Sequence, residues 1–189
     1  MSKYYTYLSF ILFSVIIVAC TSYGQDQAMT ADDHIHFLNS ITYKAAMEDT
    51  SNSEKVVRSD EEWRNILESD EYRILRNKGT EMPWANEYNS LYEDGIYICR
   101  GCGNPLFHSD TKYNSRSGWP SYYKPIREDA VAEKEDKSFF MTRTEIICNR
   151  CDSHLGHVFE DGPEPTGLRY CMNSKAMKFI PKDDSASEE

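Results

Sequence analysis

Two Cys-x-x-Cys pairs constrain this chain more than any other feature. Cys99-Arg100-Gly101-Cys102 and Cys148-Asn149-Arg150-Cys151 stand on either side of residues 103–147. Each pair turns tightly enough to present two sulfurs to one point, and four thiolates at ~2.3 Å fill the tetrahedral shell of a zinc ion. Gly101 and Gly103 suit the turns that bring backbone amides toward those sulfurs. In an exported protein the same pairs could instead close as two disulfides, although bridges over such short loops stabilise little. A thioredoxin-type redox pair would stand at a strand-to-helix turn leading into an amphipathic helix, and neither pair does. The spacing therefore favours one structural zinc held by Cys99, Cys102, Cys148 and Cys151. A metal staple of this kind specifies a fold and leaves the reaction open.

The segments around the staple are mostly strand-like. After Gly79, short aromatic and β-branched runs alternate with Gly, Pro, Asn and Asp: Ile96–Cys99, Pro105–His108, Phe139–Ile147, Gly156–Phe159, Leu168–Met172 and Met177–Ile180. This pattern predicts a small, mainly β, antiparallel domain with a compact core. Two short helices precede it. Ser59-Asp60-Glu61-Glu62 has capping-box spacing, and Trp63, Ile66 and Leu67 recur on one helical face. A second helical stretch carries Tyr72 and Leu75 and is expected to end at Gly79 as its C-terminal cap. The ordered domain is thus expected over 59–182, with a charged, frayed tail over 183–189.

The first residues follow a different logic. Lys3 precedes an apolar run from Leu8 to Ala19, whose ~18 Å as a helix falls short of a ~30 Å hydrocarbon core. A basic start before a short apolar stretch predicts an export signal over 1–19. Ile17-Val18-Ala19-Cys20 resembles the lipobox of bacterial lipoproteins, which implies lipid on Cys20; ordinary cleavage near Ala19 would leave a free thiol there. Residues 20–58 are polar and acidic, as expected of a linker that holds a domain off a membrane, with one short helix conceivable around His36–Tyr43. Removing 1–19 moves the net charge from −10 to −11, because it takes away Lys3 and no acid. The chain lacks the basic footprint of a nucleic-acid binder and the polybasic cluster that binds anionic lipid. Membrane attachment therefore falls to Cys20, at the extracytoplasmic side of the cell envelope.

One thiol is left over. Cys171 lies in Gly167-Leu168-Arg169-Tyr170-Cys171-Met172-Asn173, between a turn and a strand-like run. A lone cysteine is commonly a small core hydrophobe. Arg169 nearby would favour its thiolate, and alternate side chains of a strand put Asn173 on the same face as Cys171 and Arg169. His154 and His157 follow the second knuckle, and four cysteines already complete the zinc shell. The histidines are then either a surface pair on a turn or proton donors near neutral pH. Trp119, between Gly118 and Pro120, either packs in the core or walls a shallow apolar pocket suited to a methyl or thioether group.

These segments together resemble the methionine-R-sulfoxide reductase family. The likeness rests on Lys78–Glu81, Gly95–Phe107, Gly118–Tyr122, Cys151–Phe159 and Asp161–Ser174, and spans about 59–182. It implies two antiparallel sheets around a barrel-like core, with helices at the N-terminal side. It implies that Cys171 attacks the sulfoxide sulfur while Trp119 packs on the substrate methyl group. His154, His157, Asn173 and Arg169 would polarise the oxygen and steady the thiolate. Cys171 would be left as a sulfenic acid. The implied partners are oxidised proteins and a thioredoxin-like or other thiol reductant. Many members carry a resolving cysteine just before the Gly-Trp-Pro, where this chain has Ser117. The sulfenic acid is then expected to meet an external thiol. The competing expectation is a zinc-stapled extracytoplasmic binding module with Cys171 buried in its core.

Overall fold

The computed structural model describes residues 28–49, 55–137 and 142–182. The expected export signal, Cys20 and the tail 183–189 lie outside these residues. Along the chain come α1 (Ala31–Ser40), α2 (Tyr43–Glu48), α3 (Asp60–Ile66) and α4 (Ser69–Leu75). Nine strands follow: β1 (Gly95–Cys99), β2 (Pro105–His108), β3 (Lys112–Tyr113), β4 (Ser121–Tyr122), β5 (Val131–Asp136), β6 (Arg143–Cys148), β7 (His154–Phe159), β8 (Arg169–Met172) and β9 (Met177–Pro181). They form two antiparallel sheets, as expected. The smaller has the order β2-β1-β9 and the larger β3-β4-β8-β7-β6-β5. Among the described residues no helix is long and apolar enough to cross a membrane.

Aromatic rings fill the space between the sheets. Phe107 of the small sheet stacks on Tyr122 of the large one at 4.4 Å, and Tyr97 meets Tyr122 edge-on at 5.2 Å. Helices α3 and α4 close one side of this core with Trp63, Ile66, Tyr72, Ile74 and Leu75, all buried. The expected capping box starts α3: Ser59 Oγ accepts the Glu62 amide hydrogen and the Glu62 carboxylate accepts the Ser59 amide. At the end of α4 the expectation changes in detail. The helix stops at Leu75, and it is Lys78 that takes the left-handed conformation, at φ +54°. Gly79 donates its amide to the Arg73 carbonyl at 3.0 Å. A Cβ on Gly79 would stand 2.8 Å from that oxygen, so glycine is needed there for room.

The spacer expected over 20–58 is replaced over residues 31–48 by two packed helices. Thr30 and Thr42 cap α1 and α2 through their hydroxyls. Leu38 and Ala46 then bury against Ile96, Ile98 and Ile180, on the face of the small sheet opposite the aromatic core. Strand β1 is buried along its whole length for this reason: Tyr97 points into one layer, Ile96 and Ile98 into the other. A continuous apolar run such as Gly95-Ile96-Tyr97-Ile98-Cys99 signals two-sided burial, and the covering layer lies in the preceding polar-looking segment. Strands β3, β4 and β5 were not expected. The first two are two residues long, and β5 is a charged edge strand, Val-Ala-Glu-Lys-Glu-Asp, with no apolar alternation to read.

Candidate active site

The two Cys-x-x-Cys pairs form the turns of two hairpins, β1–β2 in the small sheet and β6–β7 in the large one. Their backbones repeat the same pattern. Gly103 and Asp152, each just after the second cysteine, take left-handed φ values of +73° and +56°. Their amides donate to the carbonyls of Cys99 and Cys148 at 2.8 and 2.9 Å. All four sulfurs are buried and lie within 4.8 Å of one another. Cys99 and Cys151 are separated by 3.7 Å, and Cys102 and Cys148 by 3.6 Å. Sulfurs on a tetrahedron of ~2.3 Å bonds stand about 3.8 Å apart, whereas disulfide sulfurs stand ~2.05 Å apart. The donor set therefore fits one zinc, and all four thiols are free of disulfides. The sulfurs oppose one another's ionisation, pushing the Cys99 thiol well above its usual range and leaving Cys151 well below it, so all four could be thiolates together only around a cation. Asn104 Nδ2 lies 3.6 Å from the Cys148 sulfur and Ser153 Oγ 3.2 Å from that of Cys151.

Cys171 sits on β8, in the middle of the large sheet. Tyr170 and Met172 point into the core, so Cys171 points away from it. Across the ladders it pairs with Ser121 on β4 and His157 on β7. It borders a cavity of about 120 Å³ that is also lined by Thr80, Trp119, Arg143, His157, Phe159 and Asn173. That volume admits the end of one side chain, against ~300–1,000 Å³ for a site that swallows a whole small molecule. Burial pushes the Cys171 thiol above its ordinary value, although Ser117, Arg169 and Ser121 all pull it down. Burial thus favours the protonated thiol over the thiolate. Ser117 Oγ lies 3.7 Å from the Cys171 sulfur, and Ser115 links Ser117 to Ser121 through hydroxyl contacts of 2.8 and 2.7 Å.

A β-bulge brings the two histidines together. In the β6–β7 ladder Ile147 pairs with His154 and Ile146 with Gly156, so Leu155 is an extra residue on β7. Residues three apart on a regular strand face opposite sides. The inserted residue reverses that parity, and the His154 and His157 rings lie 5.5 Å apart. Gly156 between them permits close strand approach, because a Cβ there would fall 2.1 Å from the Cys171 carbonyl oxygen. His157 lines the cavity and its Nε2 meets Asp136 Oδ2 at 2.9 Å. His154 lies deeper, 3% exposed, with Nδ1 at 2.8 Å from Glu145 Oε1. It does not line the cavity.

The other expected residues divide in the same way. Trp119 is a cavity wall, and its indole N–H donates to the Glu81 carbonyl at 3.2 Å. Asn173 borders the cavity, yet its amide is spent on backbone: Oδ1 accepts the Glu81 amide at 3.1 Å and Nδ2 donates to the Leu155 carbonyl at 3.0 Å. Arg169 forms a two-pronged pair with Asp161 at 2.8 and 2.9 Å, over the Phe159 ring, and from there lowers the Cys171 thiol. Several supporting residues went unread in the sequence. Glu81, itself buried, accepts the amides of Ser174 and Lys175 at 2.6 and 3.1 Å, anchoring the chain just past β8. Asp136, Arg143 and Glu145 come from strands β5 and β6, where they look like ordinary surface charges.

Comparison with known proteins settles the lineage. The chain matches the SelR domain over residues 67–181, the stretch that holds both knuckles, the cavity and Cys171. The chain belongs to the SelR domain family. It is 50% identical over 136 residues to the peptide methionine sulfoxide reductase MsrB of Hahella chejuensis, covering 72% of this chain and 98% of that one. The protein of the same description from Methanosarcina mazei is 50% identical over 135 residues, covering 71% and 96%. That from Leptospira interrogans is 53% identical over 125 residues, covering 66% and 95%. Helices α1, α2 and α3 precede the part that matches the SelR domain.

Proposed function

We propose that this protein reduces the R epimer of methionine sulfoxide in other proteins, with Cys171 as nucleophile, and so repairs oxidised methionine. One observation carries the assignment to residues: the Cys171 sulfur borders a side-chain-sized cavity walled by Trp119 and Phe159, within a SelR domain. The aromatic walls suit the methyl and thioether carbons of the substrate. Cys171 attacks the sulfoxide sulfur, and the thiol proton passes to the sulfoxide oxygen through the histidine pair. The oxygen ends on Cys171 as a sulfenic acid while methionine leaves. The cysteine sulfur loses two electrons and the substrate sulfur gains them. Asn173 and Glu81 hold the chain beyond β8 in place, and Arg169 draws the Cys171 thiol toward ionisation from the side. An external thiol, thioredoxin-like or small, then returns Cys171 to its reduced state, since Ser117 cannot form a disulfide. Cys99, Cys102, Cys148 and Cys151 would hold a structural zinc, which would tie the hairpins of the two sheets together.

The deciding experiment is steady-state reduction of separated R and S epimers with a thioredoxin-like donor. Turnover of the R epimer alone, lost in Cys171→Ser with zinc retained, is expected. Activity surviving in Cys171→Ser would overturn the assignment.

We also propose export and lipidation at Cys20, which would place the domain at the extracytoplasmic side of the cell envelope. Support comes from Ile17-Val18-Ala19-Cys20 after an apolar run too short to span a bilayer. Cys20→Ser should convert a detergent-extracted protein into a soluble or signal-retained one. Normal processing and localisation of that variant would remove the claim.

A further inference from the structure

His154 is buried with a specific pair of charges behind it. Its Nδ1 meets Glu145 Oε1 at 2.8 Å, and the other carboxylate oxygen of Glu145 accepts from Lys78 Nζ at 2.6 Å. Glu145 is 1% exposed, whereas the Lys78 side chain is largely exposed at 63%. Lys78 is the residue that takes the left-handed conformation after α4. Burial would raise the Glu145 carboxyl, but Lys78 and His154 outweigh it and hold it below its ordinary value. An ionised carboxylate can only accept, so Nδ1 carries the resting proton. Nε2 is buried and has no hydrogen-bond partner among the described residues.

We propose that Glu145 and Lys78 are positioning residues for the reduction: together they fix the tautomer of His154 and set how readily its open Nε2 takes up a proton. This rests on the reductase assignment above. In the step concerned the thiol proton of Cys171 must end on the sulfoxide oxygen. His157, which lines the cavity, relays it to Nε2 of His154, whose ring lies 5.5 Å away; His154 becomes an imidazolium facing Glu145 and returns the proton by the same route as the oxygen leaves, so no net proton is consumed. Burial favours the neutral ring at rest, with Glu145 working against it and Lys78 and His157 adding to it. Two further cations come from neighbouring elements: Arg76, just past α4, is committed to the Cys151 carbonyl and Ser153 Oγ, and Arg143 of β6, which lines the cavity, is paired with Asp136 at 2.8 Å. The two positioning residues thus act on His154 with opposite sign.

That opposition supplies the test. The rate of the first half-reaction is measured from pH 5 to 9 in single turnovers, by trapping the Cys171 sulfenic acid with a dimedone-type reagent. A histidine that must be neutral to accept a proton gives the profile an acid limb. Glu145→Gln should move that limb to lower pH by about one unit and reduce the plateau several-fold, because the imidazolium loses its counter-charge. Lys78→Met should move it to higher pH, and Lys78→Arg should leave it in place. Loss of packing alone would slow the reaction without moving the limb in opposite directions. Should Glu145→Gln fail to fold, Lys78→Met decides alone, since an exposed lysine can be replaced without disturbing the core. An unmoved limb in Lys78→Met, or shifts of the same sign in both variants, would overturn the proposal while leaving the reductase assignment intact. Wild-type protein inactive on both epimers would instead remove the assignment itself.

Discussion

Replacing Ser117 by cysteine should give this enzyme an internal resolving step. Ser117 Oγ already lies 3.7 Å from the Cys171 sulfur, across a separation of 54 residues in sequence. A disulfide requires ~2.05 Å, so the gap must close by ~1.6 Å, part of which the longer C–S bond supplies. The half-buried turn from Ser115 to Trp119 must shift to supply the rest, while Ser121 on the neighbouring strand stays fixed by the β4–β8 ladder. After one turnover the Cys171 sulfenic acid condenses with the new thiol, releasing water. Closing a loop of this length removes denatured-state entropy equivalent to about 4 kcal/mol on the chain-entropy account. Mass spectrometry after one equivalent of R-sulfoxide, without reductant, should find Cys171 bridged to the introduced cysteine in the Ser117→Cys variant. The natural protein should give only a trappable sulfenic acid. The oxidised variant should also melt several degrees above its own reduced form. A persistent sulfenic acid in the variant, with no bridge, would show that the turn at residue 117 and strand β8 do not approach as the 3.7 Å contact states.

Three further outcomes follow from the same structure. Changing Cys148 to Ser should abolish zinc binding and cost several kcal/mol, because a metal on the four cysteines would join the hairpins of two sheets and its binding would be folding free energy; zinc analysis and the melting curve check both. Leu38→Ala should lower stability by about 2–4 kcal/mol in denaturant unfolding, given a side chain 1% exposed, and a loss below ~0.5 kcal/mol would mean that α1 is not part of the folded body. Alkylation of Cys171 by iodoacetamide should be slow at neutral pH and rise through the alkaline range, since burial raises its pKa and only the thiolate reacts. A midpoint below the ~8.5 of a free thiol would contradict the burial seen here.

Much of this molecule is legible in its sequence because the constraints are local. A Cys-x-x-Cys turn, a Ser59–Glu62 capping box and runs such as Pro105–His108 are each specified by a few adjacent residues, and the structure contains them. The position of Cys171 on a strand, with Tyr170 and Met172 facing inward, follows from the same period of two. Tertiary structure decided what local pattern cannot carry. Residues 31–48 look polar because their helices bury only one narrow stripe, and the apolar face that receives Leu38 belongs to a strand about sixty residues away. The pairing of His154 with His157 depends on an extra residue in one ladder, which appears only once β6 lies beside β7. The roles of Glu145, Asp136 and Glu81 are hidden for the same reason. A carboxylate reads as surface charge until the fold removes its water and sets a histidine or a row of amides against it, and that environment is assembled from strands and turns far apart in the chain.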